Sequence, residues 1–373
     1  MMSGTDLAGT EIGKDSRLVL TLDAGGTNFS FSAMRSGQPV GESVTLPAEP
    51  HDLEASLQNL VAGFQALIDQ LGEKPAAISF AFPGPADYPN GVIFNVGNLP
   101  AYHGGVAVGP MLEERFGVPV FLNNDGDLFA YGEAIAGLLP EINRELEAAG
   151  SPKRYSNLIG LTLGTGLGGG LVIDGRLLTG DNSAGGEFWL LRNKVRSDCF
   201  AEEGASIRAV QAAYAEAAGA GADGLSPKDI YAIATGEAVG DQQAARRAFE
   251  TLGEVVGDAL ANVLTLIDGL AVIGGGLAGA APLFLPRVIA ELNGTIASYS
   301  GGVTDRVIQD VYDLENPAQR QAFLQGKTQE IPVPQSSRTV VTDPGKRVGV
   351  GISKLGANRA VGVGAYAFAL NHL

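Results

Sequence analysis

The stretch Leu18–Met34, LVLTLDAGGTNFSFSAM, decides the fold that we expect for this chain. Apolar residues alternate with other residues on both sides of a central turn, and this period of two predicts a strand, a turn and a second strand. The turn is Asp23–Asn28, in which Gly25 and Gly26 let main-chain N–H groups approach a ligand closely. Such a turn can hold phosphate oxygens, but the stretch by itself is equally typical of an ordinary glycine-rich hairpin.

Length, charge and cysteine content limit the class of protein. The chain has 373 residues, which favours two lobes, and its formal net charge is −16. Because this charge repels phosphate backbones and anionic lipid, we expect neither nucleic acid nor a membrane among its partners. Cys199 is the one cysteine, so the chain can form neither an internal disulfide nor a multi-cysteine zinc cluster.

Residues 1–16 lack the basic start and apolar centre of a secretory signal, and we expect them to form a flexible leader. Elsewhere no uninterrupted apolar run reaches the roughly 20 residues of a membrane helix. Together with the single cysteine, these observations make a cytoplasmic location the simplest expectation.

Helices and strands are expected to alternate along the chain. Apolar residues recur at helical spacing in Asp52–Leu71, Asp241–Leu266 and Ala281–Leu292, whereas short apolar runs predict strands. Several strands end in polar or glycine-rich loops, where α/β proteins commonly bind ligands: Ala77–Phe82 before Pro83–Asp87, Val118–Leu122 before Asn123–Asp127, Ser156–Thr162 before Leu163–Gly170, and Gly269–Ile273 before Gly274–Gly276. We expect a helix from just after Asp127 to about Leu139, whereas 301–355 has no readable pattern.

The segment Leu163–Gly170, LGTGLGGG, repeats the arrangement of the opening stretch. A predicted strand precedes it, and a turn at Asp174 and Gly175 predicts that the following residues form a β-hairpin. Two such strand–turn–strand segments, well separated along the chain, suggest a duplicated lobe.

A dinucleotide-binding enzyme is the main rival interpretation, since G-x-G-x-x-G begins at Gly164, Gly219 and Gly274. A dinucleotide loop joins a strand to a helix, whose N-terminus holds the pyrophosphate. The match at Gly164 precedes a hairpin, and the match at Gly219 follows a helix. The match at Gly274 comes late in the chain, and no strand predicted after it ends in an acidic residue that could bind a ribose. A dehydrogenase is therefore the poorer fit.

Five motifs, taken together in their order along the chain, resemble the ROK family (repressor, open reading frame, kinase): Asp23–Asn28, Asn124–Asp125, Gly164–Gly170, Gly185–Glu187 and Ile273–Leu277. This family contains sugar kinases and sugar-responsive repressors of the hexokinase/actin-like superfamily. The resemblance implies an α/β chain with a two-lobed ribonuclease-H-like (actin/hexokinase-like) fold and a cleft between the lobes. The small N-terminal lobe would comprise residues 17–123 plus 358–373, and the large C-terminal lobe residues 124–357.

The resemblance also implies roles for individual residues. Those expected to bind ATP are Asp23, Gly25, Gly26, Thr27, Asn28, Gly164, Thr165, Gly166, Gly274, Gly275 and Gly276. Asp23 would in addition lie near Mg²⁺, through water. Asp125 would be the general base that takes the proton from a sugar hydroxyl. The residues expected to hold the sugar are Asn98, Asn124, Asp125, Glu187 and Glu202.

The chain departs from the family after Glu187. Most members carry Glu-x-Gly-His followed by three cysteines, which together hold a structural zinc. Here the first motif reads Glu187-Phe188-Trp189-Leu190, and only Cys199 remains. One cysteine without the histidine cannot complete a four-ligand site, so we expect no zinc. Packing by Phe188 and Trp189 would take over the structural role of the metal.

Several of these residues also have a purely structural interpretation. Asp125 and Asp127 near a helix start could be helix caps, and Glu187 and Glu202 could be ordinary surface carboxylates. Phosphoryl transfer, however, needs a carboxylate at the attacking oxygen and N–H groups around the phosphates, and the five motifs supply both.

The resulting hypothesis is an ATP-dependent hexokinase that transfers the γ-phosphate to the primary hydroxyl of a hexose, with glucose favoured. An N-acetylhexosamine kinase and a sugar-responsive ROK regulator that does not itself bind DNA are the alternatives. A homodimer is possible by the same resemblance.

Overall fold

The computed structural model describes residues 12–219 and 224–373. Most of the leader predicted over residues 1–16 lies outside the described residues, as does Gly221 of the second G-x-G-x-x-G match. The described strands are β1 Val19–Ala24, β2 Asn28–Arg35, β3 Gln38–Pro47, β4 Ala77–Ala81, β5 Ala86–Asp87, β6 Val92–Ile93, β7 Val106–Ala107, β8 Val120–Asn123, β9 Leu158–Leu163, β10 Leu167–Ile173, β11 Arg176–Leu177, β12 Leu270–Gly274, β13 Thr295–Ala297, β14 Val303–Asp305, β15 Asp310–Asp313, β16 Gln329–Pro332, β17 Thr339–Thr342 and β18 Arg347–Ile352.

The α-helices of the described residues are α1 Leu53–Leu71, α2 Val108–Phe116, α3 Asp125–Ala136, α4 Leu138–Ala148, α5 Ile207–Ala218, α6 Pro227–Thr235, α7 Gln242–Leu266, α8 Ala281–Leu292, α9 Pro317–Gln325 and α10 Ala357–His372. Single 3₁₀ turns lie at Pro100–Tyr102, Phe188–Leu190, Ala201–Gly204 and Ala278–Ala280. No helix in the described ranges is both long enough and apolar enough to cross a bilayer.

Contacts between residues divide the chain into two compact units. The first comprises the described part of Met1–Pro140 together with Gly170–Gly186 and Leu355–Leu373, and the second comprises Glu141–Gly169 and Glu187–Lys354. The lobe boundaries inferred from the sequence stay a prediction.

The first unit is built on a sheet with the strand order β3-β2-β1-β4-β8. The predicted opening hairpin is present, since β1 and β2 pair antiparallel from Val19 opposite Met34 to Ala24 opposite Phe29. Strands β1, β4 and β8 run parallel to one another. Their carboxyl ends therefore lie along one edge of this sheet, which is where an α/β unit commonly binds its ligand.

Helix α1 covers one face of that sheet. The Asp52 side chain caps it by accepting the Ala55 N–H at 3.1 Å, and Gly72 ends it with a left-handed φ of 62°. Phe64 points from the helix into the sheet, with its ring 5.0 Å from the ring of Phe31 in an edge-on contact. The apolar residues that recur at helical spacing in this segment are thus the ones that reach the core.

Helices α3 and α10 pack together unusually closely because glycines lie at their contact. A Cβ atom at Gly132 would overlap the carbonyl oxygen of Ala360, and one at Gly364 would overlap that of Leu128. A larger side chain at either position would push the helices apart, at a cost of about 1–3 kcal/mol.

The helix after the Asn123–Asp127 loop differs from the prediction. It begins inside that loop, at Asp125, because the Asn124 side chain accepts the Gly126 N–H and starts the helix early. It ends at Ala136, and a separate helix, α4, follows. The Glu133 side chain accepts the Leu138 N–H at 2.9 Å, so it satisfies the start of α4 after the break at Gly137.

The second unit contains the parallel strands β9, β12, β18 and β15 in that order. Strand β12 is almost wholly apolar and was predicted, whereas β15 and β18 fall within 301–355, which had no readable pattern. In β18, glycines alternate with the buried Val348 and Val350, and this spacing hides the apolar run that would signal a buried strand.

Candidate active site

The first glycine turn lies at the carboxyl end of β1, in the first unit. The Gly25 N–H donates to the Asn28 carbonyl oxygen at 3.1 Å and closes the turn, while Thr27 and Asn28 are exposed. A Cβ atom at Gly26 would lie 3.0 Å from the Asn98 Nδ2 atom. The structure therefore brings Asn98, which the sequence placed at the sugar, directly against the turn that the sequence placed at the phosphates.

The register of the sheet brings Asp23 and the Asn124–Asp125 pair to the same edge. Asp23 lies opposite Ala81 of β4, and Ala81 lies opposite Asn123 of β8. Strands in a sheet are about 4.8 Å apart, so the last residues of β1 and β8 are separated by roughly 10 Å. Helix α3 starts from this point, and it is here that the Asp125 side chain is exposed.

Asn124 takes the capping role that Asp125 could have had. Asn124 Oδ1 accepts the Gly126 N–H at 2.8 Å, and Asp125 Oδ1 shares that N–H at 2.8 Å. The other carboxylate oxygen of Asp125 accepts no hydrogen bond from the described residues. Asp125 is thus an accessible carboxylate, oriented by the bond at one of its two oxygens.

Asp23 and Asp125 also interact through their charges. Burial raises the pKa of Asp23, and the negative charge of Asp125 raises it further. More than a third of the Asp23 side chain nevertheless remains open to water, which screens both effects. Within the described residues, no lysine or arginine forms an ion pair with either carboxylate, so the pair leaves uncompensated negative charge at this edge.

This donor set fits a magnesium ion that is held mainly by substrate phosphates. Mg²⁺ in nucleotide sites uses one or two carboxylates and keeps several waters, and Asp23 is a carboxylate of this kind. Among residues 12–219 and 224–373, no group of three or more His, Cys, Asp or Glu side chains is arranged to hold a metal by itself. The absence of zinc, expected from the sequence, stays a prediction.

The second glycine turn lies between β9 and β10, in the second unit. Its Gly164 N–H donates to the Gly166 carbonyl oxygen at 3.0 Å, and Thr165 at its tip is exposed. The Leu277 N–H donates to the Leu163 carbonyl oxygen at 3.0 Å, which ties the segment after Gly274–Gly276 to the end of β9. Two segments that the sequence assigned to ATP are therefore neighbours in this unit.

Glu202 lies at this turn as well. Its Oε2 accepts the Leu167 N–H at 3.0 Å, and a Cβ atom at Gly166 would overlap the same oxygen. Its Oε1 accepts from Arg208 Nη2 at 2.6 Å. Both oxygens of a residue assigned to the sugar are thus engaged within the protein, one of them by the predicted phosphate turn.

Glu187 is exposed, and the Trp189 Nε1–H donates to its Oε2. The Trp189 ring packs edge-on against Phe200 with 5.6 Å between centroids, and Phe188 is buried, so both aromatic residues have the packing role expected of them. Leu190, at the position of the family's histidine, is 58% exposed.

The loop between Glu187 and Glu202 is closed by hydrogen bonds to one asparagine. Asn193 is 2% exposed, and its Oδ1 accepts the N–H groups of Val195 at 2.9 Å and Arg196 at 3.0 Å. Its own N–H donates to the Cys199 carbonyl oxygen at 3.0 Å. Neither Asn193 nor Arg208 was singled out from the sequence, because neither belongs to a motif. Each is recognised only by the hydrogen bonds that it forms in the folded chain.

The predicted site residues fall into two groups, one in each unit. The first unit holds Asp23, Gly25, Gly26, Thr27, Asn28, Asn98, Asn124 and Asp125, and the second holds Gly164, Thr165, Gly166, Glu187, Glu202, Gly274, Gly275 and Gly276. Parallel strands that end at glycine turns and acidic residues are common to many α/β proteins. The similarity to solved sugar kinases assigns this chain to the actin/hexokinase-like class.

The chain belongs to the ROK family, whose sequence model matches residues 19–324. A solved glucokinase from Parabacteroides distasonis ATCC 8503 is 54% identical, with 97% of this chain and 99% of that chain covered and a TM-score of 0.90. A ROK family glucokinase from Streptomyces griseus, solved with glucose and AMPPNP, is 20% identical over 94% of this chain and 98% of that chain, with a TM-score of 0.58, and so shares the fold.

Curated relatives include two kinds of sugar kinase. The glucokinase of Thermotoga maritima is 29% identical over 171 residues, which cover 45% of this chain and 49% of the relative. The N-acetyl-D-glucosamine kinase of Pectobacterium carotovorum is 30% identical over 277 residues, which cover 68% of this chain and 82% of the relative. The chain thus matches about half the length of the first of these relatives and most of the second.

Proposed function

We propose that this protein is an ATP-dependent kinase that transfers the γ-phosphoryl group of ATP to the primary hydroxyl of a hexose, with glucose as the favoured substrate. Membership of the ROK family supports the reaction class. The glucokinase from Parabacteroides distasonis, 54% identical over nearly the whole of both chains, supports glucose.

The observation that carries the proposal is the exposed carboxylate of Asp125, at the same edge of the sheet as Asp23 and the first glycine turn. In the proposed reaction, Asp125 takes the proton from the sugar hydroxyl as its oxygen forms a bond to the γ-phosphorus, and the bond from that phosphorus to the ADP oxygen breaks. A base at this position contributes about 10²–10⁴ in rate. Asn124 would support it by capping α3 and so fixing where Asp125 lies.

Other residues would bind and orient the substrates. In the first unit, the Gly25–Asn28 turn would bind phosphate oxygens with the main-chain N–H groups that remain after the Gly25 N–H has closed it, and Asn98 would bind the sugar. In the second unit, Gly164–Gly166 and Gly274–Gly276 would bind the nucleotide, and Glu187 would bind the sugar. When bound near Asp23, Mg²⁺ supplies neutralisation of the phosphate charges.

An N-acetylhexosamine kinase is the second candidate. It is favoured by the N-acetyl-D-glucosamine kinase of Pectobacterium carotovorum, which this chain matches over 82% of the relative's length. Leu190, which stands where most members of the family have a histidine, is exposed and would not offer the sugar a polar contact. A sugar-responsive regulator is the third candidate, and it would bind sugar without consuming ATP.

A coupled assay of ADP release with Mg²⁺-ATP, run against a panel of hexoses and N-acetylhexosamines, tests the proposal. We expect kcat/KM to be highest for glucose. A preference for an N-acetylhexosamine would replace the first candidate with the second. ADP release that no sugar raises above background would refute the kinase function.

A further inference from the structure

The second glycine turn is held in place from outside by a carboxylate. Glu202 follows the turn by 35 residues in sequence, yet its Oε2 accepts the Leu167 N–H at 3.0 Å. The main chain of the turn is joined to the same region again, because the Ile207 N–H donates to the Gly164 carbonyl oxygen at 2.8 Å. The conformation of Gly164–Leu167 therefore depends on where Glu202 is held.

Arg208 holds Glu202. Its Nη2 donates to Glu202 Oε1 at 2.6 Å and to Glu203 Oε1 at 2.7 Å, and its Nη1 lies 3.4 Å from the Thr165 carbonyl oxygen. The Glu202 side chain is 20% exposed, so it is shielded from water more than a surface carboxylate would be. One guanidinium thus neutralises Glu202 and reaches the tip of the turn at the same time.

We propose that Glu202 and Arg208 form a positioning pair for the second glycine turn, so that Glu202 governs the binding of ATP through the main chain of the turn. This inference rests on the proposed function, which assigns the turn to ATP. It adds to the contact with the sugar that the family resemblance implies for Glu202, because a carboxylate that accepts one bond at each oxygen can still accept others.

Charge explains why the pair is needed. A carboxylate next to a turn that binds phosphates would repel them unless a cation compensates it. Arg208 supplies that compensation, and its planar guanidinium can bond Glu202 and the Thr165 carbonyl oxygen together, whereas a lysine offers a single point of contact. Without Arg208, Glu202 keeps its bond to the Leu167 N–H but loses the second bond that fixes its position and the cation that compensates its charge.

The first test is the variant Arg208→Ala, measured by steady-state kinetics with each substrate varied in turn. We expect the KM for ATP to rise about tenfold, as for the loss of a charge-assisted hydrogen bond, and the KM for the sugar to change less than about twofold. Arg208→Lys should recover part of the loss. Arg247→Ala is the matched control, because Arg247 is another exposed arginine of the second unit and pairs with Glu250.

The second test separates the two roles of Glu202. In Glu202→Gln, the amide oxygen can still accept the Leu167 N–H, but the ion pair with Arg208 is lost. We expect a raised KM for ATP, and we expect the double variant Glu202→Gln/Arg208→Ala to be no worse than either single one. A raised KM for the sugar alone would overturn the inference.

A third measurement does not depend on activity. Hydrogen exchange of the Leu167 amide, followed by NMR or by mass spectrometry of a peptide that contains it, should be faster in Arg208→Ala than in the unchanged protein and unaffected in Arg247→Ala. Unchanged exchange together with an unchanged KM for ATP would overturn the inference. A protein that releases no ADP with any sugar would refute the kinase function instead, and the exchange of Leu167 would still decide whether the pair positions the turn.

Discussion

Asn124 and Asp125 both hold the start of α3, but only Asp125 has a second carboxylate oxygen that the helix does not use. Both accept the Gly126 N–H, and Asn124 alone suffices as a cap, since Asn and Asp cap helices about equally well. The second carboxylate oxygen of Asp125 is not needed to hold the helix. The local structure therefore permits a catalytic role for Asp125 without a loss of stability when that role is removed.

We expect Asp125→Asn to lower kcat by about 10²–10⁴-fold, because the amide cannot take a proton, and to leave the fold intact. The ADP-release assay and thermal unfolding measure the two effects. Asp241→Asn is the matched control, since Asp241 caps α7 by accepting the Ala244 N–H at 2.9 Å and the amide can do the same. Near-normal turnover of Asp125→Asn would contradict the assignment of the base.

The raised pKa of Asp23 predicts that the stability of the folded protein depends on pH. Its pKa is raised in the folded protein, by burial and by Asp125, so the folded state binds the proton more tightly than the unfolded chain does. The stabilisation from this group is therefore present in acid, below the pKa of an ordinary aspartate of about 3.9, and is lost as the pH rises through the folded pKa.

Accordingly, Asp23→Asn should raise the Tm of the ligand-free protein at neutral pH, by on the order of 1 °C, and the gain should vanish near pH 3. It should also weaken the binding of Mg²⁺-ATP. Calorimetric scans at the two pH values test this, with the exposed Asp181→Asn as control. A variant that is less stable than the unchanged protein at neutral pH would show that the pKa shift has the opposite sign.

At this scale, motifs point to individual residues but not to the side chains that contact them. Asp23, Asn124 and Asp125 were singled out because each belongs to a short motif, and their roles stay predictions. Arg208 was not found, because its contact with the second turn is made by a side chain more than 40 residues away along the chain. No local pattern encodes a contact of this kind.

Among the elements, the loop between Glu187 and Glu202 is held by several hydrogen bonds. Loops of this size are commonly mobile unless their main chain is bonded. Here the Asn193 side chain accepts two main-chain N–H groups, and the Ala201 N–H donates to the Leu191 carbonyl oxygen at 2.6 Å. Trp189 and Phe200 pack together at its two ends. The loop is thus organised by an amide side chain and aromatic packing.

We expect Asn193→Ala to lower the free energy of unfolding by about 1–3 kcal/mol, because the N–H groups of Val195 and Arg196 lose a buried acceptor. Urea unfolding measures the change. The exposed Asn182→Ala provides the control and should be nearly neutral. A loss as small as that of the control would mean that something other than Asn193 holds the loop.

Metal removal is a separate test of this loop. Since Asn193 closes it and the described residues contain no cluster of metal ligands, EDTA should leave the Tm of the nucleotide-free protein unchanged. Elemental analysis should find no stoichiometric zinc. A fall in Tm of several degrees on chelation would instead indicate a structural metal.

Helices and strands whose apolar residues recur with a clear period were predicted, and those without such a period were not. The helices α1, α7 and α8 follow apolar residues at helical spacing, and their bounds agree closely with the expectation. Strands β15 and β18 were missed, since short strands with alternating glycine or polar residues acquire their identity only by pairing with a neighbour.

At the scale of the whole molecule, the net charge of −16 bears on the choice between enzyme and regulator. A DNA-binding protein gains most of its affinity by neutralising phosphates with cations. We therefore expect no shift of duplex DNA in a gel assay at about 0.1 M salt, with or without sugar. A complex that weakens steeply with added salt would favour the regulator.

The sequence by itself determined the two strand–turn–strand segments, the principal helices, and, from five motifs in order, the family. These features depend on periodicity and on hydrogen bonds between residues that are close in the chain. Only the tertiary structure decided that Glu202 binds the second glycine turn, that Arg208 holds it there, that Asn193 closes the loop, and that β15 and β18 complete the sheet. Each of these depends on contacts between side chains and main-chain groups that the fold alone brings together, and the free energy of such contacts leaves no pattern in the local sequence.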